Sequence, residues 1–337
     1  MHIHFFFRSK DSNRFSIEQL FLRISGELAK RHTVRNIFMP WSGVKGLAFA
    51  ANGWYARQRQ ARINHITGDI HYVLLFLSRR NINVLTIHDC VMLDRIGKRH
   101  WKYWLYKWIW YDLPMRKADV VTVISEKTYR EVRAMNNCDP AKITIVPNFI
   151  DTDVVFQPRT FNAQQPTILF IGSTPNKNLP RLVEALAGLP CRLEIIGELS
   201  EENRLQLAQH SIIFEQFFNL SRTEVLARYA ACDLVAFPST YEGFGLPILE
   251  AQASGHCVLT SDLSPMREVA GAGAVLVDPY DVKAIRNGIL QIIQNASLRE
   301  TLITAGRENV ARYQLTQVVK TYEEIYRKAT QPVALPQ

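Results

Sequence analysis

The stretch Pro238-Ser-Thr-Tyr-Glu242-Gly-Phe-Gly245-Leu-Pro247-Ile-Leu-Glu250-Ala decides how this chain is read. It follows Asp233-Leu-Val-Ala-Phe237, an apolar run with the signature of a buried strand. Gly243 and Gly245 supply the turn, since glycine reaches positive φ and lets a ligand approach the backbone. Pro247 suits a first helical turn, and Gly255 ends the helix that runs to Ser254. The unit is strand, glycine-rich loop, helix. Such a helix start presents free N–H groups and partial positive charge, which favour phosphate. Glu242 and Glu250 flank it eight residues apart. Carboxylates repel phosphate, so their natural partners there are neutral hydroxyls. A ligand with a diphosphate and many hydroxyls, a nucleotide sugar, fits both halves of the motif.

Working outward, strand and helix signals alternate along the whole chain. The first half gives strands at His2–Phe7, Val34–Met39, Asn64–Thr67, Asn83–Ile87, Val120–Ile124 and Ile143–Val146. Helices are expected between them at Ser16–Lys30, with Ser16, Asp11 or Ser12 as the cap, and at Gly46–Arg59, Val73–Arg79, Arg99–Trp110 and Lys127–Met135. The polar, aperiodic segment Gln157–Pro166 reads as a linker. The pattern then restarts, with strands at Thr167–Ile171, Arg192–Ile196, Ile212–Phe214, Val258–Ser261 and Ala274–Val277. The last helix, Leu315–Ala329, is long enough to cross back to the first domain. Crossovers of this length imply parallel, doubly wound sheets in two α/β domains, at residues 1–156 and 157–314, with residues 315–330 completing the first.

The motif carries a resemblance. Glu242-x7-Glu250 within Pro-Ser-Thr-Tyr-Glu-Gly-Phe-Gly-Leu-Pro-Ile-Leu-Glu-Ala resembles the signature of family-4 retaining glycosyltransferases of the GT-B fold. The resemblance implies two Rossmann-like domains facing across a cleft, with ligands at the carboxyl ends of the strands. It implies transfer of a hexose from a nucleoside diphosphate to a hydroxyl of a saccharide or lipid-linked saccharide, in cell-envelope polysaccharide or lipopolysaccharide synthesis. Glu250 would hold the ribose diol, and Glu242 the hydroxyls of the transferred sugar near the reaction centre. The N–H groups of Phe244, Gly245 and Leu246 would meet phosphate or sugar. The base would lie near Gly197-Glu198 and Phe217–Leu220.

The leaving diphosphate calls for fixed positive charge. Lys177, in Gly172-Ser-Thr-Pro-Asn-Lys177-Asn178, is the clearest source. Relatives carry an arginine shortly before this lysine, where Ser173 and Thr174 stand here, so Arg181, Arg267 or helix-terminal N–H groups are the candidates for a second cation. His88, at the end of Thr-Ile-His-Asp, resembles the histidine that reaches the donor sugar. Asp69 and His71, at another polar strand end, are candidates for acceptor handling. In retaining members a phosphate oxygen takes the acceptor's proton, so no protein base is assigned. Asp151-Thr-Asp153 is a literal DxD that reads as structural, and no metal or other cofactor is expected. The loop Arg8–Arg14 is basic and lacks the glycines of many relatives, which points to a different acceptor mode.

Composition sets the outer bounds. The chain has 337 residues, is 47% apolar and carries net charge +9. No apolar run reaches the roughly 20 residues of a membrane span. The five cysteines are odd in number, scattered and without metal-ligand spacing, as in a reducing compartment such as the cytoplasm. No acidic residue falls between Leu28 and Gly68, while seven lysines and arginines do. No nucleic-acid-binding motif accompanies them. The basic stretch and the aromatic segment Lys98–Tyr111, with four of the six tryptophans, suggest an anionic acceptor or peripheral contact with the inner face of the cell membrane. Two rivals follow. One is a non-catalytic GT-B protein that binds sugar nucleotides or acts as a scaffold. The other is a dehydrogenase, which the lack of GxGxxG after the first strand disfavours.

Overall fold

The computed structural model describes residues 1–9, 16–42, 47–135, 138–157 and 159–331. Their packing divides the chain into two units, Met1–Phe149 with the segment from Leu315 on, and Ile150–Gln314. The first unit holds strands β1 (His2–Phe7), β2 (Thr33–Phe38), β3 (Ile63–Ile66), β4 (Ile82–Ile87), β5 (Val120–Val123) and β6 (Ile143–Ile145). They form one parallel sheet in the order β2-β1-β3-β4-β5-β6. The second unit holds β7 (Thr167–Ile171), β8 (Arg192–Ile196), β9 (Ile213–Phe217), β10 (Leu234–Phe237), β11 (Cys257–Ser261) and β12 (Val275–Val277). These are again all parallel, in the order β12-β11-β10-β7-β8-β9.

Parallel sheets must be covered on both faces, so their strands are apolar on both sides. Along β1, Ile3, Phe5 and Phe7 enter one core cluster with Phe21, Phe149, Tyr322 and Tyr326, while Phe6 enters another with Leu85, Trp110 and Tyr111. The helices Ser16–Ala29 and Leu315–Thr330 supply the first of these covers. A buried hydrogen-bond chain fixes the second helix to the sheet. The Tyr326 hydroxyl meets His65 Nδ1 at 2.6 Å, His65 Nε2 meets Thr86 Oγ1 at 2.7 Å, and Thr86 meets Thr122 at 2.6 Å.

Several sequence boundaries shift for physical reasons. The expected helix Val73–Arg79 is a 3-10 turn, His71–Phe76, that starts earlier and stops before Ser78. The single aromatic helix expected over Arg99–Trp110 is an α-helix, Trp101–Lys107, a π-turn, Trp108–Asp112, and a further α-turn, Leu113–Lys117. Bulky rings at nearly every position cannot all pack on a regular 3.6-residue repeat, and a π-turn re-aims them. Helices Val91–Ile96 and Glu201–Gln209 are additional, the latter capped by Ser200, whose side chain accepts from Asn203 N–H. The linker segment is bound into the second unit. Asn162 N–H and Thr167 N–H both donate to Asp233, and Phe161 packs on the core of the second unit around Phe170 and Leu259, so the division by packing falls at Phe149/Ile150. The candidate caps Asp11 and Ser12, and most of the loop Arg8–Arg14, lie outside the described residues, as does the side chain of Ser16.

Candidate nucleotide-sugar site

In a doubly wound sheet the strand order reverses at one point, and the loops leaving the strands there splay apart to form a crevice. In the second unit this point lies between β7 and β10. The loop after β7 carries Gly172 to Asn178, and the loop after β10 carries Pro238 to Gly245. The two loops are tied together. Thr240 N–H donates to Asn176 O at 2.8 Å, Asn176 Nδ2 donates to Tyr241 O at 2.8 Å, and the buried Asn178 donates to both Pro238 O and Pro279 O. Asn178 holds a left-handed conformation, φ +69°, which its own side-chain bonds stabilise.

This frame brings Lys177 and Glu242 together, with Nζ to Oε1 at 2.7 Å. Both side chains are largely shielded from water, and the ammonium also lies 4.6 Å from the centre of the Phe237 ring. The lysine stem runs over Gly172, where φ is +103° and a Cβ would stand 2.8 Å from Lys177 Cε. Only glycine satisfies both conditions. Gly197, at the end of β8, is similarly confined, for its Cβ would meet Ser173 Cβ at 3.0 Å. Among the described residues no protein acceptor takes the N–H of Phe244, Gly245 or Leu246, which open the helix Leu246–Ser254. The Phe244 ring itself is buried against Tyr313, so what this residue offers a ligand is its backbone.

Glu250 is anchored from two sides. Tyr229 OH donates to Oε2 at 2.8 Å, and the Arg222 guanidinium pairs with Oε1. Arg222 also grips both carboxylate oxygens of Asp153, at 3.0 and 3.1 Å. Asp153, the second aspartate of the DxD, is thus paired with a guanidinium. Burial works against the charge on Arg222, but the hydrogen bonds and charges of Asp153 and Glu250 outweigh it and raise its pKa. Sequence reading missed Arg222 because its partners lie 69 and 28 residues away. The two arginines it named are otherwise engaged. Arg181 donates to Asn178 Oδ1 and lies over Tyr280, and Arg267 pairs with Asp262. In the expected base region, Arg228 covers the Phe217 ring at 4.7 Å and Phe218 is exposed.

The remaining candidates gather in the first unit, where the strand order reverses between β1 and β3. Arg8 follows β1 and forms a two-point pair with the buried Glu18. Asp69 and His71 follow β3, and His88 ends β4. His71 Nδ1 donates to Trp110 O at 2.9 Å, and Tyr106 OH donates to Asp69 Oδ1 at 3.2 Å. His88 is buried edge-on to Phe21, and its Nε2 has no protein partner among the described residues. Burial, with smaller contributions from His71 and Arg8, lowers the His88 pKa to about 3, so the ring is neutral. Burial also lowers His71, against the pull of Asp69. Asp69 keeps some solvent exposure, yet desolvation of its carboxylate raises its pKa, opposed by His71 and by the side-chain donors of Tyr106 and Trp110. Among the described residues no group of three or more His, Cys, Asp or Glu is placed to hold a metal ion.

Comparison with known proteins bears on this geometry. The model for Glycosyltransferase Family 4 matches residues 5–154, and that for Glycosyl transferases group 1 matches residues 151–309. An O-antigen chain mannosyltransferase B of Escherichia coli is 39% identical over 99 residues, 28% of this chain and 26% of the relative. A phosphatidyl-myo-inositol mannosyltransferase of Mycobacterium tuberculosis is 29% identical over 206 residues, 53% of each chain. These matches span between a quarter and a half of the relatives' lengths. A sucrose-phosphate synthase structure from Thermosynechococcus elongatus superposes with TM-score 0.79 at 17% identity, over 97% of this chain and 99% of that one. The fold is GT-B. Together the two glycosyltransferase models span residues 5–309, the family-4 model on the first half and the group 1 model on the second.

Proposed function

We propose that this protein transfers a hexose from a nucleoside-diphosphate sugar to a hydroxyl of a saccharide or lipid-linked saccharide, with retention of anomeric configuration, in cell-envelope polysaccharide synthesis. The observation that carries the reading is the Lys177–Glu242 pair at the strand-order reversal, beside the free N–H groups of residues 244–246. Mannose is the hexose to test first, because the E. coli and M. tuberculosis relatives are named as mannosyltransferases.

In this reading the bond from the anomeric carbon to the β-phosphate oxygen breaks, and a bond to the acceptor oxygen forms on the same face. The acceptor's proton passes to the departing phosphate. Lys177 and the helix-start N–H groups stabilise the charge gathering on the diphosphate, and no metal is needed for that role. A diphosphate would draw Lys177 from Glu242 and free that carboxylate for the sugar hydroxyls. Glu250, already oriented by Arg222 and Tyr229, would receive the ribose diol. Neutral His88, in the first unit, can donate to, or accept from, a ligand hydroxyl without adding charge.

The test is a thermal-shift panel with UDP, GDP, dTDP and CDP, with and without EDTA, followed by transfer assays with the hexoses of whichever nucleotide binds. Binding at a hundredfold excess over Kd adds about 2.7 kcal/mol of apparent stability. One nucleoside diphosphate should shift the melting point, indifferently to EDTA, and its sugar should yield a product of unchanged anomeric configuration. No shift with any of the four would sink the proposal, and an inverted product would remove the stereochemical part of it.

A further inference from the structure

All six tryptophans of the chain lie in the first unit, and only Trp110 is buried. Trp101, Trp104, Leu105 and Trp108 recur at the i, i+3, i+4, i+7 spacing of one helical face. They are 66, 59, 45 and 51% exposed. The other side of the same segment is also aromatic, but it is used: Tyr103, Trp110 and Tyr111 are core residues. Among the described residues the outer stripe has no such cover. Soluble proteins rarely expose so continuous an apolar patch without a function for it.

The charges around the stripe choose its occupant. Arg95, Lys98, Arg99 and Lys102 are exposed, and none has a carboxylate partner among the described residues. Lys107, by contrast, is neutralised by Asp112 at 2.8 Å. Tryptophan rings flanked by lysine and arginine suit the boundary between lipid headgroups and acyl chains. A second copy of this chain fits poorly, because a self-complementary contact would bring the two cation clusters together.

We propose that the outer face of residues 101–108 is a docking surface for an anionic lipid bilayer, with Trp101, Trp104 and Trp108 seated at headgroup depth and Lys98, Arg99 and Lys102 on the lipid phosphates. The placement of the inner face extends this. The docking segment supplies the Tyr106 hydroxyl to Asp69, and the turn that continues it supplies the Trp110 carbonyl to His71. A bilayer held on the outer face therefore lies one helix away from the residues proposed to handle the acceptor. That last link rests on the proposed function and implies an acceptor carried on lipid; the docking does not rest on it.

The experiment is co-sedimentation of the full chain with vesicles of phosphatidylcholine alone and of phosphatidylcholine with a quarter phosphatidylglycerol, alongside tryptophan emission. The wild type should partition onto the anionic vesicles, and its emission should move to shorter wavelength. The variant W101S/W104S/W108S should bind them at least about tenfold more weakly, since the apolar anchors drive insertion. The variant K98Q/R99Q/K102Q should lose about tenfold or more on anionic vesicles, where each cation adds to the attraction. Both should keep the wild-type melting temperature, because the substituted side chains are exposed. A wild type that stays in the supernatant, or a triple tryptophan variant that binds like wild type, overturns the proposal. So does a wild-type dimer that the tryptophan variant converts to monomer without any vesicle binding, which would assign the stripe to a second copy. Vesicle binding is read without nucleotide, so a failed nucleotide shift counts against the proposed transfer and leaves the docking result standing.

Discussion

The two strand-order reversals of this molecule both lie in parallel, doubly wound sheets, and they are filled with different chemistry. At the β7/β10 reversal the side chains are charged and paired, Lys177 with Glu242 and, on the adjoining helix, Glu250 with Arg222. At the β1/β3 reversal and the neighbouring end of β4 an Arg8–Glu18 pair and Asp69 are present as well, but the histidines are buried among aromatic rings and uncharged, with His88 lowered to about 3 by burial and His71 lowered as well. A charged ligand group and a neutral one make different demands. A diphosphate needs counter-charges held ready, and charges are held ready in a low-dielectric site only when they are paired. Sugar and acceptor hydroxyls need donors and acceptors that carry no net charge. The doubly wound sheet supplies the crevice in both cases, and the residues at the strand ends decide what it can take.

The sharpest way to break this comparison is to remove charge from the paired site. Glu242→Gln should cut the rate of transfer by roughly 10²–10³, the scale of losing one well-placed electrostatic contact, while the thermal shift with the nucleoside diphosphate persists. Wild-type turnover in that variant would remove Glu242 from the chemistry. Acid should strain the neutral region next. His65 and His88 have native pKa values near 3, lowered by burial first and then by neighbouring charge, against about 6.5 when unfolded. Between those values the unfolded chain binds more protons, so stability falls as pH drops below about 6.5 and continues to fall toward 3, by about 1.4 kcal/mol per pH unit for each such histidine. His88→Phe should make the melting temperature less steep in pH over that window. An unchanged slope would show that His88 is not buried neutral. The smallest effect concerns Glu250's anchor. Arg222→Ala should weaken nucleotide binding by about fivefold, within the range for a partly exposed ion pair, with a smaller change in kcat. Arg222→Lys should recover only part of this, since lysine cannot grip Asp153 at two points. Equal affinity in all three proteins would make the Arg222–Glu250 pair incidental.

What could be read from the sequence divides along the same physical line. The strand–loop–helix unit around Glu242 is local, and its apolar run, glycines and proline lie within twenty residues, so the fold around it and the placing of Lys177 on a strand-end loop were readable. The contact between Lys177 and Glu242 was not, because it depends on which strands are neighbours. Arg222 was hidden for the same reason. In sequence it is an ordinary first-turn residue of a surface helix, and only the fold brings Asp153 and Glu250 to it. The aromatic segment shows the opposite failure. Its composition was obvious and Trp101, Trp104, Leu105 and Trp108 fall at helical spacing, but rings also fill the opposite face, so the spacing does not say which face is outer, and the π-turn at Trp108–Asp112 leaves no periodic signal. The 3-10 turn His71–Phe76 was likewise read as a longer helix, since a short apolar run looks alike in both.

The helix Leu315–Thr330 has a consequence for how the molecule comes into being. Val318, Val319, Tyr322 and Tyr326 belong to the same core cluster as Phe5, Phe7 and Phe21, and Tyr326 bonds His65. The half of the protein that leaves the ribosome earlier is therefore finished by a helix made only after the other half. At about 5–20 residues per second, synthesis of Ile150–Gln314 inserts a wait of roughly 10–30 s. During that time one apolar face of the first sheet lacks its final cover. The later-born half lies wholly in one continuous stretch, Ile150–Gln314, so it can close its core before the earlier half does.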